Sequence, residues 1–105
     1  MRVSSVWLSI REDMFTRGNE TVPGGHLIWV DECPLVLKGL ELDKGYRGVC
    51  KLADQGRVVF FGQALVKRRQ RHGRDLLVFL LPDVDVGHLS PEASIELNRC
   101  GLELE

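Results

Sequence analysis

Apolar side chains recur at every second position along this chain, and that period constrains its fold more than any other feature. It is clearest in residues 58–66, where both alternating sets contain Val and Phe. Such alternation is typical of β-strands, whereas no window of helical length shows apolar residues at spacings of three and four. Because both faces of residues 58–66 are largely apolar, this segment is predicted to lie centrally in a sheet or between two layers.

Turn-forming clusters cut the chain into short segments, since Gly accepts positive φ and Pro and Asp favour turn geometry. The clusters are Val22-Pro23-Gly24-Gly25, Asp43-Lys44-Gly45, Asp54-Gln55-Gly56 and His72-Gly73. Seven strands are predicted, at residues 5–10, 27–30, 35–42, 46–52, 58–66, 75–81 and 94–104. Bulges or bends are expected at Gly62 and near Cys100-Gly101, where the alternation needs a shift.

The length and the spacing of these segments define the expected architecture. A chain of 105 residues has the size of one domain. Short strands separated by frequent turns favour an all-β fold. The expectation is therefore one domain, residues 1–105, folded as a six- or seven-stranded antiparallel Greek-key barrel or sandwich.

Composition narrows the possible environments and partners. Fourteen basic residues against 15 acidic ones give a net charge of −1, which argues against a domain that is basic throughout and binds nucleic acid. Cys33, Cys50 and Cys100 are widely spaced, so three reduced thiols are expected rather than a disulfide framework. The N-terminal apolar stretch is too short for a signal-peptide core, and residues 76–82 are too short to cross a bilayer. A cytoplasmic protein without a membrane span is expected.

Residues 67–74, here called the basic segment, concentrate positive charge in a chain that is otherwise acidic. It holds five of the 14 basic residues, namely Lys67, Arg68, Arg69, Arg71 and Arg74. The rest of the chain has nine basic and 15 acidic residues, a charge of −6. Since guanidinium groups match phosphate oxygens, the segment is a candidate contact for RNA or another polyanion. The alternative is a solvated hairpin tip, whose charges oppose sheet aggregation, because no aromatic residue interleaves with the arginines for base stacking.

No pattern of catalytic or metal-ligating residues emerges. The histidines stand singly at positions 26, 72 and 88, and no CxxC pair is present, so no metal site is predicted. Residues 83–88 are interpreted as a polar turn. Ser90 is predicted to cap a helical turn that begins at Pro91, because no GxSxG motif surrounds it. With no Gly-rich phosphate loop either, neither an enzyme nor a cofactor is predicted.

Over most of its length, the chain resembles the C-terminal β-barrel of elongation factor Tu-like translation GTPases, and two stretches carry the resemblance. They are residues 73–82 (GRDLLVFLLP) and residues 89–101 (LSPEASIELNRCG). In that family a strand of similar pattern precedes a short loop and a final strand entering a Gly-containing turn. The family's Gly-Gly-Arg turn is here Arg99-Cys100-Gly101, and no GTPase domain is present. The resemblance implies a β-barrel that contacts tRNA and protein partners, without assigning those contacts to individual residues.

Three functions remain as hypotheses. The first is a non-catalytic interaction module, such as an accessory or immunity-type protein, that contacts a protein partner through a strand edge or a loop face; a homo-oligomer is also compatible. The second is an RNA- or polyanion-binding module that uses the basic segment. The third is a small-ligand barrel lined by Trp7, Trp29 and Phe residues, although tryptophans on strands more often fill the core.

Overall fold

The computed structural model of the protein describes residues 5–9, 20–30, 33–82 and 89–105. Eight strands form one antiparallel sheet. They are β1 (Ser5–Ser9), β2 (Glu20–Val22), β3 (Gly25–Val30), β4 (Gly45–Asp54), β5 (Arg57–Arg71), β6 (Arg74–Leu81), β7 (Ser94–Asn98) and β8 (Glu103–Leu104). The helical residues of the described chain lie in two 3-10 turns, Leu35–Leu37 and Arg99–Gly101. The all-β prediction is confirmed.

The strand order is that of a Greek key. The path through the sheet is β1-β7-β4-β5-β6-β3-β2, and β8 also pairs with β4. Strands β4, β5 and β6 follow one another as hairpins, while β7 returns to lie beside β4 and β3 lies beside β6. A fourth strand returning beside the first of three hairpin-linked strands defines this topology. The sheet curls into a half-barrel, with β5 central as predicted.

Two tight hairpins set the register of the central strands. Gln55 and Gly56 link β4 to β5 with φ of 52° and 78°, and His72 and Gly73 link β5 to β6 with φ of 53° and 77°. Positive φ at both loop residues is the mark of type I′ turns, whose twist matches that of the strands. The predicted turns at these positions are confirmed.

One face of the sheet, the core face, carries the hydrophobic interior. Ile28, Leu52, Phe79, Ile95 and Leu97 are each 0% exposed and belong to one cluster. They come from four strands, β3, β4, β6 and β7. In β7, Ile95 and Leu97 are two positions apart, so the period of two places both on the same face. These side chains fill the interior of the curl between the described strands.

The predicted strand at residues 35–42 is wrong. Leu35–Leu37 is a 3-10 turn instead, in which the N–H of Leu37 donates to the carbonyl of Pro34 and that of Lys38 to Leu35. Leu37 is buried in the core while Leu35 is 82% exposed. Alternating apolar residues in this segment are therefore compatible with a 3-10 turn in which Leu37 packs into the core. They do not require an extended backbone.

The end of the chain and the bulge also differ from expectation. Residues 94–104 do not form one strand, because Arg99–Gly101 forms a 3-10 turn capped by the Asn98 side chain, which accepts the N–H groups of Cys100 and Gly101. The bulge expected at Gly62 is wrong, since Gly62 pairs regularly with Cys50. The register shifts between Leu52 and Ala53 instead.

In the N-terminal half, the predicted turn is present, but the structure has one strand that was not predicted. The turn at Val22–Gly25 is confirmed, since Val22 pairs with Gly25, but sequence patterning missed β2 within the polar stretch before it. Gly25 is required there, because its φ is 144° and a Cβ would overlap the Leu81 carbonyl oxygen. Position 10, at the end of the first predicted strand, lies outside the described residues.

No helix in the described part of the chain is long and apolar enough to cross a membrane.

Candidate functional site

The face of the sheet opposite the core face, here called the second face, carries a row of apolar side chains across β5, β6 and β3. The strand register aligns Leu65 with Leu80 and Leu27, and, one row on, Lys67 with Val78 and Trp29. Because the residues within each row are cross-strand neighbours, their side chains lie side by side on one surface. Of the two positions that the sequence allowed for Trp29, the core was favoured, but the residue lies on the second face.

These rows enclose a shallow cavity, here called the groove. Its volume is about 200 Å³. It is lined by the aliphatic side chains of Leu27, Leu65, Val78 and Leu80, by Trp29, and by the cations Lys67 and Arg69. The groove therefore combines an apolar floor with positive charge along its β5 side.

The basic segment divides between the two faces because consecutive side chains of a strand point to opposite sides. Lys67, Arg69 and Arg71 share the second face with Leu65, whereas Arg68 lies on the core face opposite the buried Leu77. The structure therefore does not present the five predicted residues as one cationic tip. It places four of them on the second face: Lys67, Arg69 and Arg71 lie in a line along β5 beside the groove, and Arg74 lies opposite Arg71 on β6.

Arg68 is bound within the protein. Its Nη1 donates to the carbonyls of Lys38 and Leu40 at 2.8 and 3.0 Å, and its Nη2 donates to Asp75 Oδ1 at 3.2 Å. Its own carbonyl accepts the Asp43 N–H. Arg68 thus fastens the segment that carries the buried Leu37 to the end of β5, and its side chain is only 17% exposed.

Asp75 is the anionic centre of this attachment. Its carboxylate accepts a hydrogen bond from the Gln70 side chain at 3.2 Å, pairs with Arg68, and lies 3.6 Å from Lys38 Nζ. The hydrogen bond from Gln70, followed by the hydrogen bond and charge of Arg68 and the charge of Lys38, lowers the pKa of Asp75 below its ordinary value, against an opposing effect of burial. Asp75 therefore stays ionised at neutral pH.

The three cations of the basic segment that lie on the second face of β5 have weaker attachments than Arg68. Arg69 Nε lies 3.4 Å from Asp43 Oδ1 in an exposed pair, which contributes little stability. Arg71 places its guanidinium carbon 5.7 Å from the centre of the Trp29 ring, within the range of a cation–π contact. Lys67 has no ion pair with the described residues. Arg74 pairs across the turn with Arg71 and has a partner within the chain.

A second feature of the same face lies at the other end of β5, and we call it the apolar strip. Trp7 is 52% exposed, Val58 59% and Phe61 69%. The register connects Phe61 through Lys51 and Glu96 to Trp7, and Lys51 Nζ lies 5.6 Å from the Trp7 ring centre. Trp7 therefore lies outside the core, contrary to expectation.

The hydroxyl of Ser90 has a structural role. It donates a short hydrogen bond to Asp54 Oδ1 and accepts the N–H of Glu92 at 3.1 Å, while the Ser90 N–H donates to Asp54 Oδ2 at 2.9 Å. These bonds from the Ser90 hydroxyl and backbone lower the pKa of Asp54. The predicted cap is confirmed, although it closes a turn at Pro91 and Glu92 rather than a helix.

The remaining candidate residues form no further cluster in the described ranges. No group of three or more His, Cys, Asp or Glu side chains suited to a metal ion occurs there, and position 88 together with the predicted turn at 83–88 lies outside them. Cys33 and Cys50 are buried free thiols, and burial raises the pKa of Cys50 to about 12. A thiol that stays protonated at neutral pH is a poor nucleophile.

Sequence patterning found the cations of the groove but missed its apolar members. Leu27, Leu65 and Leu80 were each assigned to a strand, yet nothing in their local sequence indicates that they share one surface. The sequence does offer one signal, the spacing of two between Leu65, Lys67 and Arg69. Residues of the same parity in a strand point to the same face, so these three share one face of β5. Combining that parity with the pairing of β5, β6 and β3 would have located the groove.

Comparison of the chain with protein-family models, with curated proteins and with solved structures found no match. The resemblance of residues 73–82 and 89–101 to the C-terminal barrel of translation GTPases therefore stays a prediction.

Proposed function

We propose that this protein is a non-catalytic interaction module that binds a protein partner through the second face of its sheet. The observation that carries the proposal is the apolar strip, in which Trp7, Val58 and Phe61 are each more than half exposed. Large exposed apolar side chains that share one face of a folded domain favour a protein interface. In this row the paired Lys51 and Glu96 side chains lie between Phe61 and Trp7. The groove extends the same face toward the β5–β6 hairpin.

The residue types of the second face also fit this function. Protein interfaces are enriched in aromatic residues and Arg and depleted of Glu and Asp in their central parts. The second face holds Trp7, Trp29 and Phe61 together with Arg69 and Arg71. The acidic side chains nearby are paired: Asp75 with Arg68 and Lys38 at the edge of the core face, and Glu96 with Lys51 on the second face.

Site-specific photo-crosslinking in the native cells tests the proposal. A benzophenone amino acid replaces Val58 within the strip, or Gln55 in the exposed β4–β5 turn as the matched control. We expect a discrete crosslinked species from position 58 and none from position 55. The substitution Phe61→Ser is then combined with the crosslinker at position 58. It removes a neighbouring apolar side chain without changing the core, and we expect it to abolish the crosslinked species. An unchanged yield in that variant, or no species at all, contradicts the proposal.

A polyanion-binding function is the second candidate, favoured by the line of Lys67, Arg69 and Arg71 on one face. The triple variant of these residues to Gln is the suitable test, since Arg68 is left in place to hold the Leu37 segment. If the function is correct, binding of mixed RNA weakens with rising salt and is lost in the triple variant. Binding that is indifferent to salt, or to the substitutions, removes this candidate.

The small-ligand hypothesis has less support. Its proposed lining, Trp7 and Trp29, lies on the second face, and the core face of the described strands is filled by residues such as Phe79 and Ile28. The groove, at about 200 Å³, is smaller than the several hundred Å³ common for small-molecule pockets.

A further inference from the structure

We propose that the groove holds one large apolar side chain of an acidic polypeptide segment, with Lys67 and Arg69 binding the carboxylates that flank it. This inference rests on the proposed function, since it names the chemistry of the partner at one part of the second face. It concerns the groove alone and makes no use of the apolar strip.

The size and lining of the groove indicate a single side chain. A cavity of about 150 Å³ lined by Leu, Ile and Phe accommodates benzene, and the groove has about 200 Å³. Its floor is formed by the aliphatic Leu27, Leu65, Val78 and Leu80. An apolar floor of this size favours a Phe or Leu side chain over a polar one, because a polar group there would lose its hydrogen bonds to water.

The charge along the groove indicates what lies beside that side chain. Lys67 and Arg69 line the groove on one side, and each is next to an apolar residue across the strand pair, Val78 and Leu76. Lys67 has no ion pair with the described residues, and the Arg69–Asp43 pair is exposed and replaceable. Both cations are therefore available to carboxylates placed on either side of an apolar anchor.

The arrangement favours a polypeptide over a nucleic acid. Base binding on single strands depends on open aromatic faces for stacking, but the one ring in the groove, Trp29, already has the Arg71 guanidinium 5.7 Å from its centre. The other uncharged lining side chains are aliphatic and offer no ring for stacking, so the hydrogen-bonding groups of the lining belong to Lys67 and Arg69 at its border. Aliphatic side chains with a cationic border fit an amphipathic acidic peptide.

Trp29 provides a direct spectroscopic report on the groove. Its indole Nε1 is buried with no hydrogen-bond partner among the described residues, and the protein has two tryptophans. Two indole N–H signals are therefore expected in a nitrogen-15 NMR spectrum, and Trp7→Phe assigns them. A ligand in the groove shifts the Trp29 signal and leaves that of Trp7, at the far end of the second face, in place.

The experiment uses the full chain and a fluorescein-labelled peptide with a central Phe flanked on both sides by Glu. We expect saturable binding with a Kd of about 100 µM or tighter and a shift of the Trp29 indole signal. Replacing the peptide's Phe by Ser, or its Glu residues by Gln, is expected to weaken binding at least about tenfold. The variant Lys67→Gln/Arg69→Gln should weaken it by about tenfold, and Arg57→Gln, at the opposite end of β5, should not.

Several outcomes would overturn the inference. They are no binding, equal affinity for the Ser-containing or the Gln-containing peptide, and a Trp29 signal that does not move. A single-stranded oligonucleotide that binds through the same cations while the peptide does not would assign the groove to polyanions. Self-association in sedimentation, lost in Lys67→Gln/Arg69→Gln, would assign it to a second copy of the chain. If the crosslink at Val58 forms and the peptide fails, the groove inference alone is wrong and the proposed function stands.

Discussion

The two faces of β5 carry similar side chains in different surroundings. On the core face, Arg68 is held by two backbone carbonyls and a carboxylate. Its neighbour Arg69 on the second face has one ion pair within the described ranges, with the exposed Asp43. The aromatic residues divide in the same way, with Phe79 fully buried on the core face and Phe61 69% exposed on the second face. Face, rather than residue type, therefore separates stabilising residues from candidate binding residues in this sheet.

The largest test of this comparison replaces one Phe on each face. Phe79→Ala removes a ring from a filled interior, so we expect the free energy of unfolding to fall by about 3–5 kcal/mol. Phe61→Ala removes a mostly exposed ring, and we expect a change below about 0.5 kcal/mol. Urea unfolding followed by circular dichroism measures both. Equal losses would show that the second face is packed in the free protein.

The adjacent arginines give the next largest difference. Arg68→Ala leaves the carbonyls of Lys38 and Leu40 without their donor and Asp75 without a partner, so we expect a loss of about 2 kcal/mol in the free energy of unfolding. Arg69→Ala is the matched control, with an expected loss below about 0.5 kcal/mol. Proteolysis of native protein should cut the Leu37 segment faster in Arg68→Ala only. Equal losses of stability and equal proteolysis in the two variants would contradict a stabilising role for Arg68 that Arg69 lacks.

A smaller effect is expected at Arg71, which lies over Trp29 on the second face. Arg71→Gln removes the cation–π contact and should lower the free energy of unfolding by about 0.5–1 kcal/mol. Trp29 fluorescence, recorded in a Trp7→Phe background, should change in the same variant. Arg57→Gln serves as the control. A spectrum identical to the parent's would place Arg71 away from the ring in solution.

The smallest effect concerns acid pH. The pKa of Asp75 is lowered from its ordinary value of 3.8, so the folded protein holds this proton less tightly than the unfolded chain does. The resulting stabilisation is present above that value and is lost as the pH falls below it. Asp75→Asn should therefore lessen the fall in urea midpoint on acidification below about pH 4. An unchanged acid dependence would mean that Asp54, which is lowered in the same direction by Ser90, accounts for it.

Much of the fold could be predicted because it depends on local signals. The hairpins at Gln55-Gly56 and His72-Gly73 follow from residues that accept positive φ, and β4, β5 and β6 follow from alternation beside them. The failures arise where a local pattern has two structural solutions. Residues 35–42 alternate, but Leu37 reaches the core from a 3-10 turn held by Arg68, a residue about 30 positions away.

The candidate site could be predicted only in part, for the same reason. The basic segment is visible as composition, yet its division into Arg68 and the line of Lys67, Arg69 and Arg71 depends on which parity faces the interior. Trp29 sits in a run that is apolar on both parities, so the sequence does not show which set is buried, whereas Trp7 shares its parity with Ser5 and Ser9. Their exposure follows from strand pairing.

Short antiparallel strands follow from local sequence alone, because side chains alternate and turn residues limit each strand. The tertiary structure alone decided which face is buried, which strands are neighbours, and hence that Leu27, Leu65 and Leu80 meet Lys67 in one groove. The physical reason is that burial depends on contacts between residues far apart in the chain. Such contacts form only when β6 pairs with the earlier strand β3 and the sheet curls.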